Sequence, residues 1–122
     1  MGLSDLPLTI TTLADGTKTV TAPSPIKGLV LAIDWVQGDI ANTADVTVTA
    51  DTPVGETQTL LTLTNVSASK RYNVREVEHD NVGAPTASGS TCYPLICGKP
   101  TITVAQGGNV KTGKVVLYYL PL

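Results

Sequence analysis

An eleven-residue stretch, Ile26 to Val36, constrains the fold more than any other part of this chain. In a β-strand its alternate positions place four large apolar side chains on one face: Leu29, Leu31, Ile33 and Trp35. The opposite face is also apolar but is built from smaller groups and one carboxylate. The stretch therefore predicts a central strand that is covered on both sides, with its large side chains in the core.

The rest of the chain is typical of an all-β protein. Short alternating segments separated by Gly, Pro and Asp predict strands at 8–14, 17–22, 26–36, 45–50, 58–66, 71–77, 101–105 and 114–120. No segment has the 3.6-residue period of a helix. The length of 122 residues suits one domain. We therefore predict a single antiparallel β-sandwich domain over residues 1–122, jelly-roll-like, with about eight strands.

Two regions are expected to make contacts with other molecules. Asp15-Gly16 lies between threonine-rich runs and predicts a tight turn, so that 8–14 and 17–22 form an antiparallel hairpin. Residues 78–100 have no periodicity and contain many Gly and Pro, and long irregular segments of this kind often bind partners. We predict the hairpin 8–22 and the loop 78–100 as contact regions.

Composition excludes some classes of partner. The formal net charge of -2 gives no basic field for nucleic acid, and no apolar run is long enough to span a membrane. The first residues lack the pattern of a secretory signal, so we expect a chain made in the cytosol. Charged residues are only 15% of the chain and threonine is abundant, which is compatible with repeated contacts between subunits.

One cluster of titratable residues is a candidate chemical site. It runs from Arg75 to Asp80 and includes Glu76, Glu78 and the only His, His79. A solvated rim at the end of a strand is the favoured interpretation. Ion pairing between subunits through Arg71 or Arg75, and a metal or acid–base site, are the alternatives. We predict no enzyme and no catalytic, cofactor-binding or metal-binding residues.

The two cysteines, Cys92 and Cys97, allow three interpretations. They could be free thiols, close a small disulfide loop, or supply half of a zinc site. Reduced cysteine is the default in the cytosol, so free thiols are favoured.

Two residues of the central strand also have alternative roles. Asp34 interrupts an apolar strand and is expected to meet a hydrogen-bond donor in a structural role. Trp35 could stack on a sugar, but its position on the apolar face favours the core.

Several segments together resemble a known group of proteins. They are Ala14–Thr21, Ser24–Gly38, Asp45–Thr49, Leu60–Val66, Arg71–Asp80 and Ile102–Tyr119. In this order they resemble small virion proteins of tailed bacteriophages, and the similarity spans nearly the whole chain. The chain departs from the pattern at Arg71–Val74 and in the loop between the two cysteines.

This resemblance implies a non-enzymatic, all-β structural subunit encoded among head and connector genes. Its expected partners are the major capsid protein or other virion subunits and further copies of itself, in a virion assembled in the host cytoplasm. The leading hypothesis is a multi-copy capsid decoration or cement protein. The alternatives are a neck or tail component and, in a different class, a carbohydrate-binding module of a host-recognition device that uses Tyr93, Tyr72 or Trp35.

Overall fold

The structure, a computed structural model, describes residues 2–86 and 89–122. These residues form strands and turns without a helix, which confirms the all-β prediction. The strands are β1 (Ser4–Thr11), β2 (Lys18–Thr21), β3 (Ile26–Val36), β4 (Ala44–Asp51), β5 (Thr57–Val66), β6 (Lys70–Tyr72), β7 (Glu76–Val77), β8 (Thr91–Cys92), β9 (Leu95–Gly98), β10 (Pro100–Ala105) and β11 (Thr112–Pro121).

The number of strands differs from the predicted eight. Eleven strands lie in the described parts of the chain. One predicted strand, 71–77, is divided into β6 and β7, and the region 78–100 contains the short strands β8 and β9. The extra strands are two to four residues long, so their hydrophobic alternation is too short to be recognised in a sequence.

The strands form two main antiparallel sheets and a separate two-stranded one. Sheet A has the order β1-β11-β3, and the far edge of β3 is shared by β9, along 26–29, and β6, along 33–35. Sheet B has the order β2-β10-β4-β5. Strands β7 and β8 pair only with each other. Strands β1 to β4 thus alternate between the two main sheets.

Both main sheets bury one face in the same apolar core. Burial of aliphatic side chains stabilises such a core by about 1.5 to 3 kcal/mol for each large residue. The fully buried side chains come from the inward positions of both sheets: Ile10, Val30, Ile33, Trp35, Val46, Val48, Ile96, Ile102, Val104, Val115 and Leu117.

A β-bulge interrupts β3 within the predicted central stretch. On the neighbouring strand β11, Tyr118 faces Ala32, but the next residue, Tyr119, faces Val30. Leu31 is therefore an extra residue without a direct partner. Such an insertion reverses the inward and outward alternation along the strand.

The bulge changes which side chains of β3 enter the core. Ile33 and Trp35 are buried, as predicted, but Val30 joins them in the core cluster while Leu29 and Leu31 are only half-buried. The prediction that Leu29 and Leu31 share one buried face with Ile33 is therefore wrong. The physical reason is the single extra residue, which shifts the phase of the strand.

The predicted turn at Asp15-Gly16 is present, but the predicted hairpin is not. Gly16 has a φ of 84°, and both the N–H and the hydroxyl of Thr17 donate to the carboxylate of Asp15, at 3.0 and 2.8 Å. The two strands on either side of this turn nevertheless enter different sheets, because β1 pairs with β11 and β2 pairs with β10. The hairpin prediction for 8–22 is wrong.

A buried threonine lies at this change of sheet. The hydroxyl of Thr12, which is 2% exposed, donates to the carbonyl of Gly108 at 2.7 Å. It also accepts a hydrogen bond of 2.8 Å from the N–H of Lys111. These contacts attach the end of β1 to the β10–β11 turn, at the place where the chain passes from sheet A to sheet B.

Candidate interaction surfaces

The outer face of sheet A, the side away from the core, carries a row of leucines. Leu29 of β3 lies between Leu120 of β11 and Leu95 of β9. Ser4 faces Tyr119, and continuing that register places Leu3 beside Leu120. Leu3 and Leu95 are each 58% exposed. We call Leu3, Leu120, Leu29 and Leu95 the leucine row.

Opposite charges flank the leucine row on its two sides. Lys27 precedes Leu29 by two positions on β3, so its side chain points to the same face. Asp5 follows Leu3 by two positions and lies on the other side of the row. Both charged residues are exposed, and neither forms an ion pair within residues 2–86 and 89–122.

The outer face of sheet B is chemically different. It carries two cross-strand rows of threonines, one on each of four strands: Thr21, Thr101, Thr49 and Thr59, then Thr19, Thr103, Thr47 and Thr62. Some hydroxyls bond to each other, as in the pair Thr21 and Thr101 at 3.1 Å. Cross-strand threonine pairs stabilise a sheet, so this face needs no ligand to explain it. The outer face of sheet A therefore carries exposed leucines, whereas that of sheet B carries threonines.

Asp34 forms a bidentate ion pair on the outer face of sheet A. The guanidinium of Arg71 donates to both carboxylate oxygens, at 2.6 and 2.9 Å, and lies 4.8 Å from the centre of the Tyr118 ring. The hydrogen bond from Arg71, and a weaker one from Tyr118, lower the pKa of Asp34. The prediction that Asp34 meets a hydrogen-bond donor is confirmed. Arg71 is engaged within its own chain.

The region 78–100 is more regular than the sequence predicted. Strands β7 and β8 continue into a hairpin in which the N–H of Glu78 donates to Ser90 at 2.9 Å and that of Asp80 donates to Ala84 at 2.8 Å. We call residues 76–86 and 89–92 the arm. Nearly all of its residues are exposed, and its strands join neither main sheet. A two-stranded hairpin is marginally stable alone in water, and a surface that covered this arm would stabilise it.

The titratable residues of the arm have local structural roles or face solvent. Glu76 accepts a hydrogen bond of 2.7 Å from the amide of Gln58, and the carboxylate of Asp80 accepts two backbone N–H groups of its own turn at 3.0 Å. Glu78 and His79 are exposed. Among residues 2–86 and 89–122, no group of three His, Cys, Asp or Glu could hold a metal ion.

The aromatic residues considered for sugar binding lie in different environments. Trp35 is 1% exposed and belongs to the core, as predicted. Tyr72 is half-buried against the core. Tyr93 is 38% exposed, but the guanidinium of Arg75 lies 3.9 Å from the centre of its ring. Of the three, only Tyr93 presents an exposed ring, and Arg75 already contacts it.

Both cysteines are exposed free thiols in the structure. Cys97 lies on the outer face of sheet A, opposite Lys27, whereas Cys92 lies at the base of the arm on β8.

Two open grooves lie beside β6. One is lined by residues 62–70 and Tyr72, and the other by residues 34–36 and 69–71. Their lining side chains are hydroxyls, aliphatic groups, one amide, two aromatic rings, one lysine and the Asp34–Arg71 ion pair.

Comparison with known proteins gives no family. A scan against protein-family models finds no match, and a search of curated proteins finds none either. No helix in the described part of the chain is long and apolar enough to cross a membrane.

Proposed function

We propose that this chain is a non-enzymatic structural subunit of a tailed-bacteriophage virion, and specifically a decoration or cement protein that binds the head in many copies. The sequence resemblance described above supports a virion protein. The observation that carries the proposal is the order of the strands in the two main sheets.

That order supports a two-layered jelly roll. Strands β6 and β9 pair with the same edge of β3, so they occupy one position in sheet A. Without the arm, eight strand positions remain. Numbered in chain order, with β6 and β9 together as position 6, they form one sheet of order 1-8-3-6 and another of order 2-7-4-5. This is the alternation of a double-sheet jelly roll, an architecture found in viral capsid and lectin domains.

The surfaces suggest how such a subunit stabilises a shell. The leucine row and the arm offer apolar and backbone groups that a neighbouring subunit can cover. A protein that binds the assembled head but not the free capsid subunits shifts the equilibrium towards the head by mass action. No catalytic group is required. The partners in this proposal are the major capsid protein or other virion subunits and further copies of the chain.

Two other functions are compatible with the same fold. A neck or tail component would use similar passive surfaces in a single ring. A carbohydrate-binding module is supported by the use of jelly rolls in lectins, but the burial of Trp35 leaves it only tyrosines for stacking. The exposed apolar surface favours a subunit that contacts other proteins over the carbohydrate-binding module.

The number of copies in a virion tests the proposal. Particles purified on a density gradient are digested, and the chain is quantified by mass spectrometry against the major capsid protein. We expect enough copies to occupy sites over the whole head lattice. A copy number that fits one ring would favour the neck or tail, and absence from purified particles would reject a virion protein.

A further inference from the structure

We propose that two copies of this chain bind each other through the leucine row, face to face about a two-fold axis that passes through Leu120. This dimer would be the self-association that the proposed function expects, and in that respect alone it rests on the proposed function. It concerns the purified protein in solution, so it can be tested without particles.

The leucine row has the exposure of an uncovered interface. Leu3 and Leu95, at its two ends, are each more than half exposed, and Leu29 and Leu120 between them are half-buried. The row crosses four adjacent strand positions of one sheet. Contiguous apolar surface of this kind marks sites of protein interaction. The threonine rows show that this chain covers its other sheet with hydroxyls.

The flanking charges indicate a second copy as the partner. Asp5 lies on β1, Leu120 on the adjacent β11, and Lys27 on β3 beyond it. Along the strand direction, Asp5 is the next outward-pointing residue on one side of the row. Lys27 is the next outward-pointing residue on the other side. Leu120 is therefore midway between the two charges. A two-fold axis that lies in the interface, passes through Leu120 and runs perpendicular to the line joining the two charges places Lys27 of each copy over Asp5 of the other.

This arrangement satisfies the requirement of a two-fold interface, in which one patch must complement itself. The two equivalent ion pairs would lie on either side of an apolar centre, as in interfaces with a hydrophobic core and a polar rim. A partner with one dominant charge would match only one side of the row. The Arg71–Asp34 pair on the same face is already neutralised within the chain.

Sedimentation equilibrium of the full chain over a range of concentrations tests the inference. We expect a monomer–dimer equilibrium. Leu95→Ser, which removes an exposed leucine, and Lys27→Asp, which places two like charges together, should each raise the dissociation constant at least tenfold. Thr103→Lys, on the outer face of sheet B, is the matched control and should leave it unchanged.

Exchanging the charges at positions 5 and 27 distinguishes this interface from any other. Asp5→Lys alone should weaken the dimer as Lys27→Asp does, and the double variant Lys27→Asp/Asp5→Lys should restore it. A wild-type protein that is monomeric at all concentrations would overturn the inference. So would a dimer that Leu95→Ser leaves intact, or a double variant as weak as either single one. The copy number in virions is measured separately, so failure here is distinct from failure of the proposed function.

Discussion

The indole N–H of Trp35 donates a hydrogen bond of 2.6 Å to the side-chain oxygen of Gln37, and both side chains are buried. The amide nitrogen of Gln37 donates in turn to the carbonyls of Ile40, at 2.8 Å, and Val66, at 3.2 Å. One glutamine thus links the end of β3, the following turn and the end of β5, and completes the hydrogen bonding of the largest core side chain.

Replacing Gln37 should destabilise the fold strongly. Gln37→Ala leaves the buried Trp35 N–H without its acceptor and removes a donor from buried carbonyls, and each unsatisfied group costs about 1 to 3 kcal/mol. We expect a loss of about 3 kcal/mol in the free energy of unfolding, measured by urea denaturation. Gln58→Ala, at a half-buried glutamine that bonds Glu76, is the control and should cost about 1 kcal/mol. Equal losses would contradict the role assigned to Gln37.

The Asp34–Arg71 ion pair should make stability depend on pH in acid. The pKa of Asp34 is lowered in the folded protein, chiefly by the hydrogen bond from Arg71, relative to an ordinary value of 3.8. A carboxylate of this kind stabilises the fold above its unfolded pKa, and the contribution is lost as the pH falls through the folded pKa.

The variant Asp34→Asn tests this dependence. At neutral pH it should be less stable than the wild type by about 0.5 to 1 kcal/mol, since the pair is partly exposed to solvent. The difference should disappear as the pH falls from the ordinary pKa of 3.8 through the lower pKa of the folded protein. Urea denaturation at a series of pH values measures it, with Glu56→Gln, an exposed turn residue, as the control. A difference that stays constant to low pH would refute the assigned role.

Gly28 should be intolerant of any side chain. A Cβ added there would collide with the backbone carbonyl of Leu120 on the neighbouring strand, and backbone atoms within a sheet have little freedom to move. We expect Gly28→Ala to destabilise the protein by about 3 kcal/mol or more. Gly2→Ala, where a Cβ meets no atom within 4 Å, should have no measurable effect. Thermal unfolding of both variants provides the comparison.

The two thiols should react in the native protein. Cys92 and Cys97 are both exposed and unpaired, so a thiol-specific reagent should modify two groups per chain without denaturant. Intact-mass spectrometry of untreated protein should give the fully reduced mass. A mass lower by two hydrogens, with no reactive thiol, would show a disulfide and contradict the structure.

The sequence predicts strands well but predicts their partners less well. The alternation in 26–36 defines β3 to the residue, because its apolar residues are continuous and turn residues limit it. The bulge at Leu31 cannot be read from that alternation, since one extra residue among aliphatic neighbours leaves the pattern unchanged. The leucine row was missed for this reason: without the bulge, Leu29 is assigned to the core.

A turn motif in the sequence likewise predicts only the conformation of its own residues. Asp15-Gly16 identifies the turn, but β1 and β2 pair with β11 and β10, which lie about one hundred and about eighty positions away respectively, in no local pattern that the turn could report. The part of the arm that begins at Glu78 is predicted as irregular, because the strands of the arm are short and bury almost no side chains. The sequence predicts only that Asp34 meets some hydrogen-bond donor. It does not identify Arg71 as that donor, because the pairing of β3 with β6 brings Arg71 next to Asp34.

Cryo-electron microscopy of particles that contain this chain tests the proposed function most directly. We expect density for this all-β subunit repeated over the capsomers of the head, with the arm or the outer face of sheet A against a neighbouring subunit. Density confined to a single ring at the portal vertex would contradict decoration and make the chain a neck or tail component. Density at fibre tips would indicate host recognition instead.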